Sequence, residues 1–364
     1  MSVKVFVAPL DWGLGHATRS VPVIKKLLDL GAEVALGVSG GTGAFFAEAF
    51  PELRQFELPS YGIVYPKYGF EMPFWLLSNL PRLLRVVRRE HELTEELVLR
   101  EGFAAVLSDN RFGCHSKAAR SVYMTHQLRI AFPACARAFE AVGVAFHKGQ
   151  MKNFDEVWVP DLEEFPGLAG RLSHLGRPSH PKTRFVGPLS RFQLHAELTA
   201  LKPPKKFKYL GVVSGVEPAR TVLEGKLLAA FKALPGRHAL LLGRPAHPEL
   251  TRVEGNVSVF AHLPTEAFAR AVLEAERFVS RPGYSTVMDQ CVLGSDALFV
   301  PTPGQTEQEY LGRALERAGF SRFLSQAEVS AGALERAFEG GRRRLPQLDF
   351  AGLDAAVRGL LEVL

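Results

Sequence analysis

The sequence predicts an α/β protein made of two successive βα halves. Short apolar runs bounded by turn residues recur along the chain and alternate with segments of helical spacing, as buried parallel strands and their crossover helices require. That alternation lapses once, over Leu189–Lys208, where Lys202-Pro203-Pro204-Lys205-Lys206 has no apolar periodicity. The length, 364 residues, is about twice that of a usual single domain. Residues 1–190 are therefore expected to form the first domain, 191–207 the linker and 208–350 the second domain. A terminal helix over 351–364, with Leu353, Val357, Leu360 and Leu361 at helical spacing, either braces the first domain or completes the second.

The first half opens with an apolar run over residues 3–8, a glycine-containing turn over 9–16 and a helix over 17–30 carried by Val21, Ile24, Leu27 and Leu28. Gly31 stops that helix, and Val34–Val38 reads as the second strand. Further strands are expected at 103–107, 121–125, 156–159 and 184–187, with Ser108-Asp109 and Thr125-His126 at the ends of two of them. In open α/β sheets such strand ends collect ligand-binding groups. The second half predicts strands near 208–213, 238–242, 257–260, 276–279 and 296–300, with helices most clearly over 219–234 and 284–293.

Composition narrows the function classes. With 47% hydrophobic and 23% charged residues the chain is not a wholly disordered one. Its net charge of +6 favours anionic ligands slightly and does not mark a nucleic-acid binder. Cys114, Cys135 and Cys291 are odd in number and widely spaced, which fits a reducing compartment and no zinc site. The start of the chain lacks the pattern of a signal peptide, and apolar runs are broken by charge before they could span a bilayer, so a cytoplasmic protein is expected. One stretch, Phe74–Arg89, is both apolar and basic. Ser78, Arg82, Arg85 and Arg89 recur at helical spacing, either as a solvated domain face or as a surface for an anionic membrane, which would make the protein peripheral on the inner face. Pro81 predicts a helix start there and not one unbroken helix from Phe74.

Two glycine turns carry phosphate logic. Gly13-Leu14-Gly15-His16 joins a strand to a helix, where backbone can approach a ligand and helix-start amides attract anions; the third glycine of a dinucleotide fingerprint is absent, and Arg19 cannot supply the spacing. Ser214-Gly215-Val216-Glu217-Pro218 precedes the second such helix, with Arg220 nearby as a further donor and Glu217 as a source of repulsion if it pointed inward. The densest polar group is Ser280–Thr286 with Asp289, followed by Pro301–Glu309. Ser285 and Thr286 can donate at a helix start, and Asp289 can accept from ribose hydroxyls.

These segments resemble the two-Rossmann-domain glycosyltransferases of GT-B fold, close to the family 28 group that includes the peptidoglycan N-acetylglucosaminyltransferase. The resemblance covers roughly residues 3–330 and is strongest at Gly13–His16, Ser214–Thr221, Ser280–Asp289 and Pro301–Gln308. It implies two Rossmann-like domains facing across a cleft, an acceptor domain first and a nucleotide-sugar domain second. It places the donor diphosphate on Ser214, Gly215, Arg220, Gly283, Ser285 and Thr286, the ribose on Asp289, and the sugar near Gln305, Glu307 and Gln308. Gly13, Gly15 and His126 fall on the acceptor side. A UDP-sugar is the donor the resemblance favours, with no cofactor besides that substrate. The first turn departs from the relatives' pattern in Leu14 and a shorter glycine run, and Val216-Glu217 stands where they usually have small or amide residues.

Inverting transfer of a hexosyl group needs a base for the acceptor hydroxyl and positive character at the departing diphosphate. His16 is the expected base and Asp109 its orienting partner, although Ser108-Asp109-Asn110 also suits an ordinary polar turn. No Asp-x-Asp motif is present, so metal-free stabilisation by amides and an arginine is expected; Arg281 suits that part or that of a surface charge. The acceptor is a hydroxyl compound, a lipid-linked one among the candidates. Two other readings stay open: a non-hydrolysing nucleotide-sugar epimerase, with a more carboxylate-rich sugar site, and a non-catalytic nucleotide-sugar-binding protein.

Overall fold

The computed structural model describes residues 2–62, 72–129, 140–176, 180–194, 197, 200, 202–215, 217–244, 247–346 and 351–364. The chain divides into two compact units. The first takes the described residues up to Arg191 together with 351–364, and the second begins at Phe192.

In the first unit, strands β1 (Lys4–Pro9), β2 (Glu33–Val38), β3 (Arg54–Glu57), β4 (Ala105–Asp109), β5 (Arg120–Met124), β6 (Glu156–Val159) and β7 (Thr183–Phe185) form a parallel sheet. Their order is β3-β2-β1-β4-β5-β6-β7. Connections run outward in both directions from the β1/β4 pair, so the crevice at the carboxyl ends of those two strands is the topological switch point. Register brings Pro9 opposite Asp109, and Asp109 opposite Met124, which levels the ends of β1, β4 and β5. The crossovers use α1 (Leu14–Asp29), α2 (Thr42–Ala49), α3 (Met72–Glu101) and α4 (Glu140–Met151). Buried strand residues such as Phe6, Val106 and Val157 form the core on which these helices pack.

The second unit repeats the plan. Strands β8 (Phe207–Val212), β9 (His238–Leu241), β10 (Arg252–Glu254), β11 (Val257–Phe260), β12 (Ala275–Ser280), β13 (Asp296–Phe299) and β14 (Arg322–Phe323) are ordered β10-β11-β9-β8-β12-β13-β14, and β10 alone runs antiparallel. Its switch point lies at β8/β12, with Ser280 opposite both Val212 and Phe299. Helices α5 (Ala219–Ala233), α6 (Thr265–Leu273), α7 (Tyr284–Leu293), α8 (Thr306–Arg317) and α9 (Ala331–Ala337) follow in turn. The last helix, α10 (Ala351–Leu361), packs on α1 in the first unit, where Lys26 pairs with Asp354.

Several details differ from the sequence reading. Helix α1 begins at Leu14, ahead of the expected 17, because Gly13 turns the chain at φ +77° and puts Gly15 and His16 in the first helical turn. Helix α3 is continuous through Pro81. The proline costs the bond to the carbonyl four residues back, while Ser78 and Asn79 donate to the Trp75 carbonyl at 3.0 and 2.9 Å one turn earlier. The stretch expected as a linker packs on the second unit: Phe192 stacks on Phe268 at 5.8 Å, and Lys205 Nζ donates to the Leu273 and Ala275 carbonyls at 2.6 and 2.8 Å. The short strands β3, β10 and β14 went unread because little apolar sequence marks a brief sheet-edge strand. Cys135 lies outside the described residues.

Candidate active site

In the first unit, three chain segments meet at the switch point. Helix α1 supplies His16 and Arg19, three residues apart and so on one face. Strand β4 ends on Asp109, fully buried, and His126 follows β5, also buried. Nδ1 of His16 lies 3.1 Å from Oδ1 of Asp109. Arg19 grips the same carboxylate from both sides: Nε donates to Oδ2 at 2.8 Å, and one terminal nitrogen donates to Oδ1. The other terminal nitrogen is 2.8 Å from Nδ1 of His126. The His16 side chain keeps 13% of its surface open to solvent.

Burial alone would push the Asp109 carboxyl up, but the Arg19 guanidinium and His16 outweigh it and hold the group well below the usual carboxylate range. Burial lowers the His16 imidazole below its ordinary value; Asp109 opposes that shift, and Arg19 reinforces it. The site thus holds a permanent carboxylate and a neutral histidine at neutral pH. Gly13 and Gly15 lie immediately before His16, with the Gly15 carbonyl accepting from Thr18 Oγ1 at 3.1 Å. Arg19, which carries most of the contacts, was missed in the sequence; its signal was the i,i+3 spacing from His16.

In the second unit the turn after β8, the start of α7 and the loop after β13 gather at the switch point. Ser214 and Gly215 are exposed, and Gly215 adopts φ +103°, a conformation open to glycine. A Cβ on Gly215 would sit 3.3 Å from Thr302 Oγ1 and 4.0 Å from Arg281 Nε. Both of those polar atoms are buried with no hydrogen-bond partner among the described residues. Such atoms are rare in folded proteins and call for an explanation. Gly283 precedes α7 with no side-chain cap, and Ser285 and Thr286 occupy its first turn, half-buried.

Arg281 is not a surface charge. Its guanidinium donates to the Val300 and Pro301 carbonyls at 3.0 and 2.6 Å, to the Ala219 carbonyl at 3.0 Å and to Gln326. Burial brings it down to about 10. Four bonds fix it in place and leave Nε as the spare donor.

Other expected donor residues have structural work. Arg220 donates to the Leu242 carbonyl and pairs with Glu217 at 3.3 Å and Glu224 at 3.4 Å, so its guanidinium is held by the turn before its helix, the helix itself and the residue after β9. Glu217 accepts from the Thr221 N–H at 3.1 Å and from Arg244 at 3.2 Å, and these contacts neutralise the repulsion it threatened. Gln308 is buried and accepts from the Thr302 N–H at 2.8 Å, bracing the loop that presents Thr302. Gln305 occupies the N-cap position of α8 without a side-chain capping bond, Glu307 lies half-buried in its first turn, and Asp289 is buried in the second turn of α7. Among the described residues, no three His, Cys, Asp or Glu side chains are grouped to hold a metal ion.

The two units have the architecture of the GT-B fold, and the chain's likenesses are to glycosyltransferases. Residues 249–346 match the family model of the glycosyltransferase family 28 C-terminal domain. Over 389 aligned positions the chain is 26% identical to an uncharacterized glycosyltransferase of Methanosarcina acetivorans, covering 99% of this chain and 96% of that one. A second uncharacterized glycosyltransferase of that organism is 21% identical across 89% of this chain and 86% of its own. Among solved structures, spinosyn rhamnosyltransferase SpnG superposes with a TM-score of 0.63 at 15% identity, covering 99% of this chain and 95% of that one. Acinetobacter baumannii MurG superposes at 0.57 with 14% identity, covering 100% and 99%. At such identities the structural likeness speaks for the fold alone.

Proposed function

We propose that the protein transfers a sugar, with inversion and without a metal, from a nucleotide-sugar, a UDP-sugar by preference, to a hydroxyl acceptor. The observation that carries this reading is the His16–Asp109 contact at the first unit's switch point. With its Nδ1 proton held by Asp109, His16 offers the Nε2 lone pair to an acceptor hydroxyl. The hydroxyl proton passes to Nε2 as the oxygen attacks the anomeric carbon. The bond from that carbon to the phosphate oxygen breaks, and its electron pair leaves with the nucleoside diphosphate. The imidazolium formed is stabilised by the Asp109 carboxylate.

The second unit supports the donor half of the reading. Thr302 Oγ1 and Arg281 Nε are donors beside the Gly215 turn with no partner among the described residues, and a diphosphate would satisfy them. Thr302→Val removes one such donor. Hydrogen bonds to charged groups contribute about 1.5–3 kcal/mol, so UDP should bind about tenfold more weakly or worse by calorimetry. Thr302→Ser should bind as the parent does. The valine protein should be no less stable to heat, since the hydroxyl it loses has no partner among the described residues. Equal UDP affinity in Thr302→Val and the parent would remove Thr302 from the donor site. Running the same calorimetry with UDP, GDP, ADP and TDP selects the base, and binding of none would overturn the nucleotide-sugar reading.

Helix α3 supports a lipid-linked acceptor presented at an anionic surface. Leu80 and Leu84 are exposed on it at 39% and 47%. Arg85 is exposed beside them, and Arg82 lies over the Trp75 ring at 5.8 Å while donating to the Gly62 carbonyl. Arg88 and Arg89 pair with Glu92 and add less free charge. Vesicles rich in anionic lipid should sediment the protein at low salt, and less of it after Arg82, Arg85 and Arg89 are neutralised. Equal recovery on neutral vesicles would exclude this charge mechanism.

A further inference from the structure

We propose that Arg19 is a positioning residue that fixes His126 with its ring proton on Nε2 and competes with Asp109 for Nδ1 of His16. The inference rests on the reading of His16 as the base and assigns a role to a residue that reading does not require. A guanidinium has donors only. With an Arg19 terminal nitrogen 2.8 Å from Nδ1 of His126, that ring nitrogen must accept, so the His126 proton sits on Nε2. His126 therefore presents an N–H, and a second positive charge on its ring would face the guanidinium directly.

At His16 the same guanidinium works differently. The terminal nitrogen that donates to Asp109 Oδ1 is also 2.9 Å from Nδ1 of His16, which itself lies 3.1 Å from that carboxylate oxygen. A proton on Nδ1 points to Asp109 and frees Nε2 to act as a base. A proton on Nε2 leaves Nδ1 to accept from Arg19, and the ring cannot then take a proton at Nε2. Arg19 thus favours the idle tautomer, Asp109 the competent one, and an acceptor hydroxyl donating to Nε2 adds its weight to the second. The charged and titratable groups facing His16 are Arg19 from its own helix, Asp109 from β4 and His126 from the segment after β5. Arg19 is the one permanent cation among them, and its charge opposes the imidazolium.

The test needs no substrate. The full chain, labelled with nitrogen-15 at histidine, is followed by NMR across pH, with the His16 and His126 signals assigned through His16→Asn and His126→Asn. In the parent, the His126 spectrum should be that of a ring protonated on Nε2, and a ring protonated on Nδ1 overturns the proposal. In Arg19→Met the His16 titration should move to higher pH, whereas in Arg19→Lys, which keeps the charge, it should stay near the parent's. A folded Arg19→Met protein with an unmoved or lowered His16 midpoint also overturns it. If Arg19→Met does not fold, the parent's His126 tautomer still decides. Failure of the transferase reading would appear separately, as the expected tautomers in a protein that transfers no sugar.

Discussion

His16→Ala should lose about 10²–10⁴-fold in turnover, the usual worth of a positioned general base, while UDP affinity measured by calorimetry stays that of the parent. The separation is expected because His16 belongs to the first unit and the groups assigned to the donor belong to the second. Asp109→Asn should also reduce turnover, since the amide cannot stabilise the imidazolium as a carboxylate does. The pH profile of the parent follows from the same geometry. The base acts when neutral, and burial and Arg19 lower its pKa below the ordinary histidine value. Activity should therefore persist as pH falls through 6.5, the unshifted value, and decline only below it. An acid limb above 6.5, or turnover in His16→Ala close to the parent's, would remove His16 from the base role.

Glu90→Ala should produce the largest loss of stability, about 3–5 kcal/mol, the cost of removing one partner of a buried ion pair. Glu90 and Arg111 are both fully buried and 2.7 Å apart. Glu90 also accepts from the Tyr61 hydroxyl and the Gly113 N–H, each at 2.8 Å. Arg111 continues the network to the Pro9 carbonyl at 2.8 Å, the Pro59 carbonyl at 3.0 Å and Ser39. One guanidinium thus ties together the ends of β1 and β2, the segment after β3, and helix α3. Without Glu90 that charge stays buried, and two further donors lose their acceptor. Denaturant titration reads the loss. Because Pro9 opposes Asp109 in the sheet, a milder Glu90→Gln should also weaken turnover by loosening the strand end that carries the site. A stability change under 1 kcal/mol in Glu90→Ala, the range of an exposed pair, would show that the network is not closed.

Much of this molecule was legible one residue at a time. Apolar runs such as Val257–Phe260, together with the spacing of Tyr284–Leu293, located the longer strands of both units and helices α1, α5 and α7 to within a few residues. Gly13 and Gly215 marked the two turns at which the chain crosses each switch point, because positive φ is a local demand that glycine meets. His16 and Asp109 stood out as chemically able groups at strand ends, and the structure brings them together across 93 positions of sequence.

What the sequence could not express was which donors are already used. Arg220 and Arg281 look alike on the page. In the fold the first is engaged by a carbonyl and two carboxylates, while the second keeps a buried Nε with no partner among the described residues. Thr302 acquires meaning only because Gln308 braces its loop and Gly215 leaves open the space in front of it. Arg19 gains its role only when sheet register sets Asp109 and His126 on either side of it. Propensity and periodicity act over one turn or one strand, and they determined the elements. Hydrogen-bond satisfaction depends on groups far apart in sequence, from 19 positions for Arg281 and Val300 to 107 for Arg19 and His126, and on the burial that closes around them, so the chemistry of both strand-end sites was decided by tertiary structure.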